Sequence, residues 1–106
     1  MMDGIARPPV NWLLRLEGAC YGLAALYIFY GTGVSWWWFA GLILVPDLSF
    51  AAYLAGARAG AIAYNAMHST IGPWALLLAG KMAESDIAFV IGLVWFAHVG
   101  IDRALG

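Results

Sequence analysis

Two stretches of this chain, Gly18–Pro46 and Ala59–Gly80, contain no Asp, Glu, Lys or Arg. A helix needs about 20 residues to cross a hydrocarbon core about 30 Å thick, and both stretches are long enough. The chain has 106 residues, 64% of them hydrophobic and 10% charged. A soluble domain of this size needs far more polar residues to cover its surface. The expected class is therefore an all-α integral membrane protein, a single transmembrane domain over residues 1–106.

A net charge of −1 supplies no basic field, so nucleic acid is not an expected partner. The lone Cys20 rules out an intrachain disulfide framework, and Glu17-Gly18-Ala19 before it is a poor lipid-attachment signal. Met1–Arg7 ahead of an apolar run has the look of a leader peptide. The run is too long for one and holds Arg15 and Glu17, so it reads as an uncleaved first helix.

The spacing predicts four helices. They run roughly over Val10–Tyr30 after Pro8-Pro9, Ser35–Leu54 interrupted at Pro46, Ala59–Ala79 with a kink at Pro73, and Ser85–Leu105. Ser85 is a good N-cap, with Asp86 at the positive helix end. Short connections make this an antiparallel up-down four-transmembrane-helix bundle. Arg7, Arg58 and Arg103 fall on the side of both termini, whereas Lys81 faces Glu84 and Asp86 on the other. The positive-inside rule then makes both termini cytoplasmic, in a bacterial inner membrane. Trp36-Trp37-Trp38 and Trp74 would mark the outer interface and Trp12 the inner one.

Ionisable residues nevertheless interrupt these helices: Arg15, Glu17, Asp47, His68, His98, Asp102 and Arg103. Burying a charge in hydrocarbon costs about 2.5–3.5 kcal/mol on insertion scales, so such residues persist mainly where they have work to do. At 1.5 Å per residue, Arg15 and Asp102 lie roughly 5–8 Å from the cytoplasmic helix ends. Glu17, Asp47, Asn65 and His98 lie about 9–12 Å in, and His68 about 15 Å. The candidate site residues are Asp47, His68, His98, Asp102, Glu17 and Asn65, all in one half of the bundle. Asn65 and His68 share a face by their three-residue spacing, as His98 and Asp102 do by four. Pro46 removes a backbone donor and frees the carbonyl near Leu42, leaving Asp47 at the start of a short half-helix.

Imidazoles with carboxylates fit three chemistries. Asp47, His68 and His98 suit a divalent metal such as zinc, iron or manganese. A His–Asp pair suits acid–base catalysis. A polar path suits movement of protons or cations. The arginines have a structural alternative, pairing with Glu17, Asp47 or Asp102, or snorkelling to the interface. For the histidines the structural alternative is an interhelical hydrogen bond. Cys20 reads as a small packed residue and Tyr64 as packing within reach of the site. Gly18-x-x-x-Gly22 and Gly56-x-x-x-Gly60 allow close helix approach and permit a homo-oligomer.

Arg15-Leu16-Glu17-Gly18, Pro46-Asp47-Leu48-Ser49, Tyr64-Asn65-x-x-His68 and Ala97-His98-x-Gly100-x-Asp102-Arg103-Ala104-Leu105-Gly106 occur in that order. Together they resemble an uncharacterised family of short bacterial membrane proteins, a domain of unknown function. The resemblance spans nearly the whole chain and implies a four-helix inner-membrane protein without implying an activity. A fainter similarity is to membrane-bound metal-dependent hydrolases, which also pair a Pro-Asp element with histidines. This chain lacks their His-Arg-Gly and Thr-His-Ser elements and is shorter.

Three functional readings follow. The first is a membrane enzyme or metal-binding protein acting on a lipophilic small molecule that enters from the lipid bilayer. The second is an oligomeric proton or metal-ion transporter or channel. The third is an interaction subunit whose polar cluster fixes helix register. A path of polar groups that ends near the midplane counts against a pore within one copy.

Overall fold

The computed structural model describes residues 10–106. Arg7, the Pro8-Pro9 pair and the Met1–Arg7 leader question lie outside the described residues. The regular elements of the described chain are all helices, joined by short turns. They are α1 (Val10–Thr32), α2 (Trp36–Leu42), a 3-10 helix η1 (Val45–Ala55), α3 (Ala57–Met67), α4 (Ile71–Met82) and α5 (Asp86–Leu105). Three segments are long and apolar enough to cross a membrane: Val10–Thr32, Trp36–Ala55 and Asp86–Leu105.

The prolines shape the other features. The expected interruption at Pro46 is present, but the half-helix after it is 3-10, not α. Runs of this type longer than three or four residues are uncommon and often mark a functional or strained stretch. The kink expected at Pro73 is instead a full break one turn earlier, between Met67 and Ile71. Pro73 has no N–H to give the carbonyl of Ser69, and its ring crowds that carbonyl. In the first turn of a new helix that N–H would have no partner anyway, so α4 restarts at Ile71 with Pro73 in its opening turn. The expected cap at Ser85 is in place, its hydroxyl accepting from the Ala88 N–H at 3.2 Å.

α5 is the central element. From Gly92 to Gly100 all of its residues except Trp95 are buried, and Trp95 is partly buried. Apolar residues all round a helix are what a central position requires. α1 packs along one face of α5, over a seam of glycines. A Cβ at Gly100 would lie 2.5 Å from the Gly22 nitrogen and 2.7 Å from the Gly18 oxygen. The Gly18-x-x-x-Gly22 signal is thus used inside the chain, bringing two backbones together. α4 packs on a second face, where Gly92 meets Leu77. The apolar core beside these seams contains Phe29, Leu93, Val94, Phe96 and Ala97.

η1 and α3 form a hairpin of their own. Gly56 turns the chain at φ 125°, a conformation that favours glycine. Gly60 lies against the Tyr53 ring so closely that a Cβ would overlap it. With three residues per turn, Asp47, Phe50 and Tyr53 stand one above another on η1. Phe50 packs on Tyr64 of α3, with ring centroids 4.9 Å apart. Beyond this hairpin η1 and α3 touch the remaining helices sparsely.

The arginines pair differently from the sequence alternatives. Among the described residues no arginine forms an ion pair with a carboxylate. Arg15 Nε donates to the Ala104 carbonyl at 3.0 Å, and its guanidinium stands 4.8 Å from the Trp12 ring centroid. It therefore caps the C-terminal end of α5 and ties it to α1, where a cation is favoured. Cys20, expected to be packed, is exposed.

Candidate metal centre

Asp47, His68, His98 and Asp102 converge on one point. Each offers one ligand atom, and the four atoms lie within 4.8 Å of one another. The residues come from the start of η1, the break between α3 and α4, and one stripe of α5. Glu17 and Asn65, also candidates from the sequence, do not join them; both side chains are exposed.

Backbone breaks place each ligand. Asp47 sits in the first turn of η1, where the helix end favours a carboxylate. Pro46 has no N–H, so in a 3-10 pattern the carbonyl left without a donor is that of Ile43, one residue beyond Leu42. His98 Nδ1 donates to that carbonyl at 2.5 Å. His68 is the C-cap residue of α3, with φ −108° and ψ 8°. This turn folds its ring back over Tyr64, where the two rings stack at 4.0 Å and 15°. His68 Nδ1 donates to the Tyr64 carbonyl at 2.9 Å. Trp95, one turn before His98 on α5, donates from Nε1 to the Met67 carbonyl at 2.7 Å. The Ile43 and Met67 carbonyls at the helix breaks are thus satisfied by side chains, while the Tyr64 carbonyl accepts both the backbone N–H and the ring of His68.

These bonds settle the histidine tautomers. A carbonyl oxygen only accepts, so both Nδ1 atoms carry the proton. In a neutral imidazole Nε2 is then a bare acceptor. The two Nε2 atoms face each other at 3.1 Å. Asp47 Oδ1 is 3.2 Å from His68 Nε2 and 3.3 Å from His98 Nε2. Asp102 Oδ2 is 3.4 and 3.5 Å from the same two atoms. With both imidazoles neutral, these four acceptors have no donor among them and repel one another unless a cation, a metal ion or a proton on one Nε2, lies between them.

The spacing fits a metal ion. A tetrahedral ion bound at about 2.0–2.1 Å has ligand–ligand edges of about 3.3–3.4 Å. Five of the six edges here measure 3.1–3.5 Å. The sixth, between the two carboxylates, is wider, within the 4.8 Å that spans the whole set, so the carboxylates close in slightly on a bound ion. Each imidazole donates its other nitrogen to a carbonyl, the usual way of orienting a metal-ligating histidine. Nitrogen with carboxylate oxygen suits zinc, iron or manganese. The imidazoles are 9% and 7% exposed, but the carboxylates of Asp47 and Asp102 remain 45% and 44% exposed. The centre is closed on its histidine side and open on its carboxylate side.

Some contacts of the site went unread in the sequence, which had Tyr64 only as packing within reach of it. Tyr64 supplies both a stacked ring and an accepting carbonyl to His68; the four-residue spacing was the available signal. Trp95 is offset from His98 by three residues, again a shared face. The Ile43 carbonyl could have been found only by knowing that the segment after Pro46 is 3-10.

No curated protein and no solved structure matches this chain significantly. A family model for a domain of unknown function, DUF4260, matches residues 11–106. That match covers nearly the whole chain, including all four converging residues, and the chain belongs to the DUF4260 family.

Proposed function

We propose that this chain is a bacterial inner-membrane protein that binds a divalent metal ion through Asp47, His68, His98 and Asp102. In this reading the chain crosses four times with both termini cytoplasmic, the α3–α4 pair forming the third crossing. The metal lies in the cytoplasmic half and serves chemistry on a lipophilic substrate. The observation that carries the reading is the set of four convergent acceptors spaced like the edges of a coordination sphere. A bound ion of this kind would polarise an oxygen or activate water. Glu17 and Asn65 take no part.

Metal content of protein purified in mild detergent, without chelator or tag-derived metal, tests it. The expected result is a near-stoichiometric divalent metal. Asp47→Asn and His68→Ala should lose that metal while keeping their helical circular dichroism. Absence of metal, even after reconstitution with zinc, iron and manganese, would sink the reading.

The broken third segment favours a second reading, ion movement. A helix interrupted at membrane depth, with its negative C-terminal end towards a cation site, is a transporter device. Flux of the same metal into proteoliposomes, abolished by Asp47→Asn, would support it.

A further inference from the structure

The charge balance of the centre limits what it can bind. Its ligands are two carboxylates and two imidazoles that are neutral in the metal-binding form. Among the described residues no lysine or arginine pairs with either carboxylate. A divalent ion therefore brings the centre to a net charge of zero, with no positive charge in reserve. The open side is the carboxylate side; Leu48 and Ile101, the chain neighbours of Asp47 and Asp102, and Leu105, one turn beyond Asp102, are exposed and apolar. A ligand reaching the metal there must pass between two carboxylate groups and leave its tail against apolar side chains.

An anionic headgroup fits this entrance poorly. It would meet both carboxylates and make the loaded centre negative in a medium of low dielectric, where an uncompensated charge is costly. A neutral oxygen adds no charge and can still coordinate. We infer that the centre takes an uncharged oxygen donor carried on an apolar chain, a hydroxyl or carbonyl of a neutral lipid. A phosphorylated headgroup is refused. This rests on the metal reading above.

Cobalt(II) makes the inference testable, because its visible absorption weakens as coordination rises from four to five. The cobalt-substituted protein in phosphatidylcholine nanodiscs would be titrated with 1-dodecanol, dodecyl phosphate and dodecane. Dodecanol should change the band saturably, with half-saturation at least about tenfold below any effect of dodecyl phosphate. Dodecane should do nothing. The Asp102→Asn protein, whose loaded centre carries one positive charge, should gain a response to dodecyl phosphate. Wild-type protein that responds to the phosphate as strongly as to the alcohol would overturn the inference. So would a normal cobalt band that responds to neither, or equally to dodecane. Failure to form any cobalt band would overturn the metal reading itself, and the inference with it.

Discussion

On its face towards α1, α5 presents Gly100; on its face towards the hairpin it presents Trp95, His98 and Asp102. The first contact brings backbone to backbone, since Gly18, Gly22 and Gly100 leave no side chain between the helices. It gains its strength from dispersion over a long, close approach. The second contact is sparse and polar. It consists largely of the four metal-site side chains and the bonds from His98 to Ile43 and from Trp95 to Met67. One contact is built to stay shut. The other holds only as long as its polar groups are satisfied, which ties the position of η1 and α3 to the state of the site.

The difference can be broken most severely at the glycines. Gly100→Val should destabilise the protein by about 3 kcal/mol or more, beyond ordinary overpacking, because backbone stands in the way. Loss of folded monomer in detergent on denaturant titration checks it; a stable Gly100→Val protein would contradict the seam. Chelation should act on the other contact alone. Removing metal is expected to raise amide exchange in residues 45–67 about tenfold or more and to leave α1 and the centre of α5 protected. Equal change in both regions would show that they are not separate.

Finer substitutions sharpen the contrast. Tyr64→Leu removes the ring stacked on His68 but keeps the backbone carbonyl that holds it. An aromatic pair is worth about 0.5–1.5 kcal/mol, so metal affinity should fall by a few-fold to about tenfold. Tyr64→Phe should restore it, since the ring and not the hydroxyl makes the contact. Competition with a metal-binding dye would read both. The smallest effect is expected at the two candidates left outside the cluster. Glu17→Gln and Asn65→Ala should change stability by no more than about 0.5 kcal/mol and leave metal content unchanged.

The outlying candidates show where sequence reasoning ends. Asn65 would share a face with His68 only if α3 continued. It stops at Met67, and the non-helical His68 swings its ring back over Tyr64 while Asn65 points away. Glu17 lies at a plausible depth but next to Gly18, which faces α5. A one-residue step rotates a helical side chain by about 100°, enough to turn Glu17 outward. Position along a helix was legible from counting residues. Rotation about its axis was not.

By itself the sequence determined the class of the protein and the extents of its long helices, because uncharged length and caps are local properties. It also singled out the polar groups that interrupt the apolar segments, Asp47, His68, His98 and Asp102 among them, because composition is read residue by residue. Only the tertiary structure decided which of those groups meet. That outcome depends on how Pro46 and Pro73 break two segments, and on how far glycines let α1 and α5 approach. It depends as well on which carbonyls the breaks leave for His98 and Trp95 to satisfy.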